Sequence, residues 1–174
     1  METKRAEFTL PDGGLYSVTK STEAMKGELV EMEVILPKTG VPPPVHFHPD
    51  CEEEYVVLSG TLELQVAGKW HTLKAGESYT VPRGTAHTFR NADAGKTRMA
   101  FTHKPAVGFE AYMDGFRELV QSGRVTSLTS PKSLMHISLL WERSTATLIA
   151  ANPFQRAAMS AMASIGKLLG YKLS

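Results

Sequence analysis

Over its first half the chain alternates apolar and polar residues with a period of two. In segment 61–66, Leu62, Leu64 and Val66 fall on one face and Thr61, Glu63 and Gln65 on the other. Such alternation marks a half-buried strand. Further short segments, mostly β-branched, aromatic or alternating, lie at 15–19, 29–36, 55–58, 78–81 and 99–102. Turn-forming residues separate them at 37–40, 59–60, 67–69, 75–76 and 82–84. Short strands at this spacing predict an all-β sandwich or barrel over residues 8–105. Gly40, Gly60 and Gly76 are expected at turns that need positive φ.

After Lys104-Pro105 the period changes to that of a helix. Phe109, Tyr112, Met113, Phe116, Leu119 and Val120 recur at helical spacing, and Gly123 stands where a helix would stop. Ser130-Pro131 and Asn152-Pro153 each pair a capping residue with a proline at the first helical position, and Gly170 closes the last helix. Residues 106–174 are therefore expected to form a helical C-terminal extension, packed on the barrel or on a partner subunit.

A length of 174 residues fits one core-bearing domain with an appendage. With 19 basic against 18 acidic side chains, the net charge of +1 argues against a nucleic-acid partner. The single cysteine, Cys51, cannot form an intrachain disulfide, so nothing calls for an oxidising compartment. No apolar run follows the N-terminus, so no leader is expected and the cytoplasm is the default location. The last helix, residues 153–169, is apolar but too short and interrupted to span a bilayer. Its basic surroundings allow contact with an anionic membrane surface. Its sparse charge favours packing on the barrel or in a homodimer instead.

The chemistry-bearing residues are His46-Phe47-His48, Glu53 and His87. On a strand, positions i and i+2 project to one face, so the first two imidazoles can reach one point. Glu53 follows a short acidic turn, and His87 lies on a later β-segment beyond Pro82-Arg83-Gly84. Three imidazoles and one carboxylate suit a divalent transition metal: Fe, Mn, Ni, Zn or Cu. Four protein ligands on a six-coordinate ion would leave two positions for water, dioxygen or substrate.

Two spacings give this constellation its context. The first runs Gly40, five residues, His46-Phe47-His48, four residues, Glu53, six residues, Gly60. The second runs Gly76, five residues, Pro82-Arg83-Gly84, two residues, His87, three residues, Asn91. Together they resemble both motifs of the cupin superfamily, with the short gap between them seen in small bacterial members. The resemblance implies a double-stranded β-helix, the cupin barrel, with a metal in one mouth held by His46, His48, Glu53 and His87. The spacing to Gly60 selects Glu53 over its neighbours Glu52 and Glu54. Asn91 reads as a turn-former at its strand end rather than a substrate contact.

Alternation places Tyr55, Val57 and Phe89 inward, and puts Thr97, Met99, Phe101 and His103 on one shared face. An inward position for that face makes the cavity mostly apolar, suited to an aromatic or alkyl substrate. Tyr55 and His103 are the weak candidates for acid–base work, although His103 is expected to be exposed at its strand end. The leading expectation is a metal-dependent, dioxygenase-like enzyme acting on a small organic molecule. A metal-dependent isomerase, cyclase or decarboxylase is an alternative, since one fold hosts many chemistries. A non-catalytic binding or sensing cupin is another.

Overall fold

The computed structural model describes residues 7–144 and 149–173. The first six residues, on which the expectation of no leader partly rests, lie outside them. Eleven strands and three helices occur among the described residues. The strands run β1 (Glu7–Thr9), β2 (Leu15–Lys20), β3 (Val30–Leu36), β4 (His46–Phe47), β5 (Glu52–Ser59), β6 (Thr61–Val66), β7 (Lys69–Lys74), β8 (Ser78–Val81), β9 (His87–Asn91) and β10 (Thr97–Lys104). The helices α1 (Phe109–Gln121) and α2 (Pro131–Arg143) follow, then β11 (Ile149–Ala150) and α3 (Pro153–Leu168).

Two sheets face each other, one ordered β1-β2-β3-β10-β5-β8 and the other β11-β4-β9-β6-β7. Every pairing is antiparallel. The alternation that predicts the strands also decides what they bury. In β3, Val30, Met32, Val34 and Leu36 are buried while Glu31, Glu33 and Ile35 are only partly so. Met32, Val34, Tyr55, Val57, Leu62, Leu64, Met99 and Phe101 fill the space between the sheets. This is an all-β barrel of two antiparallel sheets with a helical C-terminal extension, the architecture that the resemblance implies.

Three details depart from the sequence expectations. The extension carries a strand as well as helices: β11 pairs with β4, setting Ile149 opposite Phe47 and Ala150 opposite His46. Two residues are too few for a period-two pattern to register. The edge strand β7 shows no alternation either, because only Leu73 in it is buried. Gly40 is not among the positive-φ residues, whereas Gly60 (81°) and Gly76 (88°) are. At Gly40 the constraint is space instead, since an added Cβ would lie 3.3 Å from the Pro37 ring and carbonyl.

The helix boundaries follow their local chemistry. Ser130 and Asn152 accept hydrogen bonds from backbone N–H groups of α2 and α3, each followed by proline at the first helical position. Helix α1 buries Phe109, Met113, Phe116 and Leu119 against the core. Helix α2 packs on both α1 and α3, so the three helices form one cap over a barrel mouth. No helix among the described residues is long and apolar enough to cross a membrane.

Candidate metal centre

His46 on β4 lies directly opposite His87 on β9. His48 follows the end of β4, where its carbonyl accepts the Gly84 N–H at 2.7 Å. Glu53 enters from the other sheet, on β5, with His103 of β10 as its cross-strand neighbour. The two sheets thus deliver four donors to one point. One ligand atom from each of His46, His48, Glu53 and His87 lies within 4.8 Å of the others, and all four side chains are buried. Glu52 and Glu54, on the opposite parity, are exposed.

Hydrogen bonds on the outer side settle the protonation of two rings. His46 Nδ1 lies 2.7 Å from the Pro44 carbonyl and His87 Nδ1 2.8 Å from the Thr85 carbonyl. A carbonyl only accepts, so each Nδ1 carries the hydrogen and each Nε2 presents a lone pair inward. Burial, with His87 and His48 beside it, pushes the His46 pKa down to about 3 and keeps that ring neutral. Burial alone would raise Glu53, but the charge and hydrogen bond of His103, with the His48 and His87 rings close by, outweigh it. Its carboxyl is therefore held well below the usual range.

Glu53 Oε2 lies 2.8 Å from His87 Nε2 and 3.4 Å from His48 Nε2. The His87 approach lacks the alignment of a hydrogen bond. Burial would lower the His87 pKa, yet the facing carboxylate raises it. Two buried lone-pair atoms at this separation call for a cation between them, either a proton or a metal ion. Three imidazole nitrogens and one carboxylate oxygen fit a divalent transition metal, without selecting among Fe, Mn, Ni, Zn and Cu.

The other sequence candidates divide. Tyr55 points inward as expected and is fully buried beside Glu53, without a well-aligned protein hydrogen bond. Burial, with the carboxylate beside it, drives its pKa well above the ordinary phenol value. His103 is not exposed, contrary to the sequence expectation. It is 0% accessible, and its Nε2 lies 2.9 Å from Glu53 Oε1. Being near a strand end does not expose it, because α1 begins five residues later and covers that end with Phe109. Cys51 is also buried, its Sγ 3.4 Å from His103 Nδ1. Asn91 ties the β9 end together through Asp93, Gly95 and Thr97, as a turn-former does.

A cavity of about 340 Å³ opens from His46 and Glu53 into the space under the helices. The barrel lines it with Tyr16, Phe89 and Phe101, and the cap with Tyr112, Ile137, Trp141, Met159 and Met162. Among the described residues, no lysine or arginine borders it. Sequence reasoning missed these cap residues as cavity walls. Their helical spacing reads equally well as core packing, and nothing local says which face covers the barrel.

The cupin-domain family pattern matches residues 32–103, the strands that carry all four donors. This barrel is a cupin domain. Over 78 residues the chain is 32% identical to the quercetin 2,3-dioxygenase of Bacillus subtilis, covering 45% of this chain and 23% of that one. Over 54 residues it is 39% identical to the HTH-type transcriptional regulator PuuR of Escherichia coli, covering 31% of this chain and 29% of that one. The chain thus spans less than a third of either relative's length. An RmlC-like cupin from Shewanella frigidimarina superposes with a TM-score of 0.51 at 21% identity, covering 61% of this chain and 88% of that one. That likeness shows the fold. The cupin barrel accounts for the converging donors, while the helical cap lies outside the matched residues.

Proposed function

We propose that the protein is a metal-dependent enzyme of the oxygenase kind, acting on a small, uncharged and largely apolar organic molecule. His46, His48, Glu53 and His87 hold the metal, which when bound supplies a Lewis acid with open positions for dioxygen or a substrate oxygen. One observation carries the reading: a roughly 340 Å³ apolar cavity runs from His46 and Glu53 to the helices, and no cationic side chain among the described residues stands on its wall. A phosphorylated or dicarboxylate substrate would bring charge into that wall without a partner. Burial raises the Tyr16 and Tyr112 pKa values above the ordinary phenol value, so both hydroxyls stay protonated as donors at the cavity edge. The cap shields part of this space from water and keeps the substrate beside the metal.

The test is elemental analysis of protein purified without chelator, followed by oxygen uptake against aromatic and enolic compounds. Stoichiometric Fe, Mn or Ni with substrate-dependent oxygen consumption supports the reading. Metal-dependent turnover without oxygen consumption selects an isomerase, cyclase or decarboxylase at the same centre. Stoichiometric ligand binding without turnover selects a sensing role, and the similarity to a stretch of a transcriptional regulator favours keeping that second reading in the test.

A homodimer belongs to the same proposal. On α3, Phe154 (84% exposed), Ala158, Ala161, Ile165 (49%) and Leu168 (87%) form an exposed stripe. Their alternating four-and-three spacing is what a second helix covers. Antiparallel pairing of two copies about Ala161 sets Phe154 near the partner's Leu168. Leu168→Glu is expected to shift the mass measured by light scattering from dimer to monomer. An unchanged mass removes α3 from the interface.

A further inference from the structure

We propose that His103 is the residue that orients Glu53 toward the metal, and that Cys51 and Phe109 hold His103 for this task. The inference rests on the metal reading of His46, His48, Glu53 and His87. It goes beyond that reading by assigning a role to three residues outside the ligand set.

The register of the sheet makes the contact. His103 on β10 pairs directly with Glu53 on β5, so the two side chains rise from one face as cross-strand neighbours. His103 Nε2 lies 2.9 Å from Glu53 Oε1. An ionised carboxylate only accepts, so the hydrogen sits on Nε2 and Nδ1 is left as an acceptor. The side chain beside Nδ1 is a donor, since Cys51 Sγ is 3.4 Å away and can give its thiol hydrogen to the ring. Each atom of the chain Cys51–His103–Glu53 then has one consistent role, and all three residues are buried.

The ring plane is held from a third direction. Phe109, the first residue of α1, stacks on His103 with centroids 3.8 Å apart and planes 23° apart. Turning the imidazole would break a charge-assisted hydrogen bond, a thiol contact and a stack together. With Oε1 engaged by His103, Glu53 offers Oε2 toward the imidazoles, the oxygen found 2.8 Å from His87 Nε2. A carboxylate restrained in this way binds through one oxygen rather than two and leaves more of the metal's coordination sphere to other ligands. Because Phe109 also lines the cavity, the same stack joins the helical cap to the carboxylate.

The experiment compares Co(II) affinity, by competition with a chromophoric chelator, and the Co(II) visible spectrum across variants. His103→Leu removes the hydrogen bond and is expected to weaken Co(II) about 10–100-fold with an altered spectrum. His103→Gln returns an N–H near the Nε2 position and should recover most of the affinity. His103→Asn carries its amide near Nδ1 instead, reaching Cys51 rather than Glu53, and should behave like the leucine variant. Cys51→Ser keeps a donor and should match the wild type. Equal affinity and spectrum for the wild type and His103→Leu overturn the proposal. Should the leucine variant fail to fold, equal affinity of the Gln and Asn variants overturns it. Tight wild-type binding with either result leaves the ligand assignment standing. Failure of the wild type to take up one Co(II) per chain overturns the assignment and this inference together.

Discussion

A backbone carbonyl decides much of this site's chemistry. Pro44 and Thr85 each take the Nδ1 hydrogen of a histidine two residues further on, which turns the Nε2 lone pair inward. His48→Ala is therefore expected to lose stoichiometric metal while its circular dichroism stays that of a folded barrel, as read by elemental analysis and spectroscopy. Glu53→Gln should weaken metal binding and Glu54→Gln should not, because Glu53 is buried among the imidazoles while Glu54 faces solvent. The reverse order would move the ligand by one position. The four donors were legible in the sequence because two motifs bring them within local reach, by strand parity and turn length. His103 was not legible as their neighbour. Its contact with Glu53 depends on the register between β5 and β10, strands separated by four others in sequence, and its burial depends on a helix that comes later still.

Among the elements, strands with one buried face announced themselves and those without one did not. Segments 61–66 and 78–81 coincide with β6 and β8, whereas β7 buries only Leu73 and β11 has two residues. Turns carry the sharper constraint. Gly60 joins β5 to β6 with φ of 81°, and a Cβ there would sit 2.9 Å from the Lys96 carbonyl and 2.8 Å from Thr97 Oγ1. Neither can move freely, since Thr97 Oγ1 also bonds Asn91 Oδ1 and the Thr61 carbonyl. Gly60→Ala should cost about 1–3 kcal/mol, measured by urea unfolding. At Gly76, also at positive φ, a Cβ would meet nothing within 4 Å, so Gly76→Ala should cost less. The difference between the two variants isolates the close approach from the backbone conformation.

In the whole molecule, the donors and the cavity's far wall come from different parts of the chain. Residues 32–103 carry all four proposed ligands, and the helices after them supply most of the cavity's far wall. Metal binding and ligand binding should therefore separate by mutation. Met162 of α3 lines the cavity and is none of the four donors, so Met162→Phe should fill space under the cap without touching the centre or adding a tryptophan. Such a variant is expected to keep its metal stoichiometry and lose binding of an uncharged aromatic probe such as 2-naphthol, followed through quenching of Trp141. The quenching is readable because Trp141 lines the cavity while the other tryptophan, Trp70, lies exposed on β7. Unchanged probe affinity would place the ligand outside the capped space and return the apolar substrate to the barrel alone. Loss of metal together with the probe would mean that cap and centre are one mechanical unit. The Phe109–His103 stack is the contact through which that coupling would run.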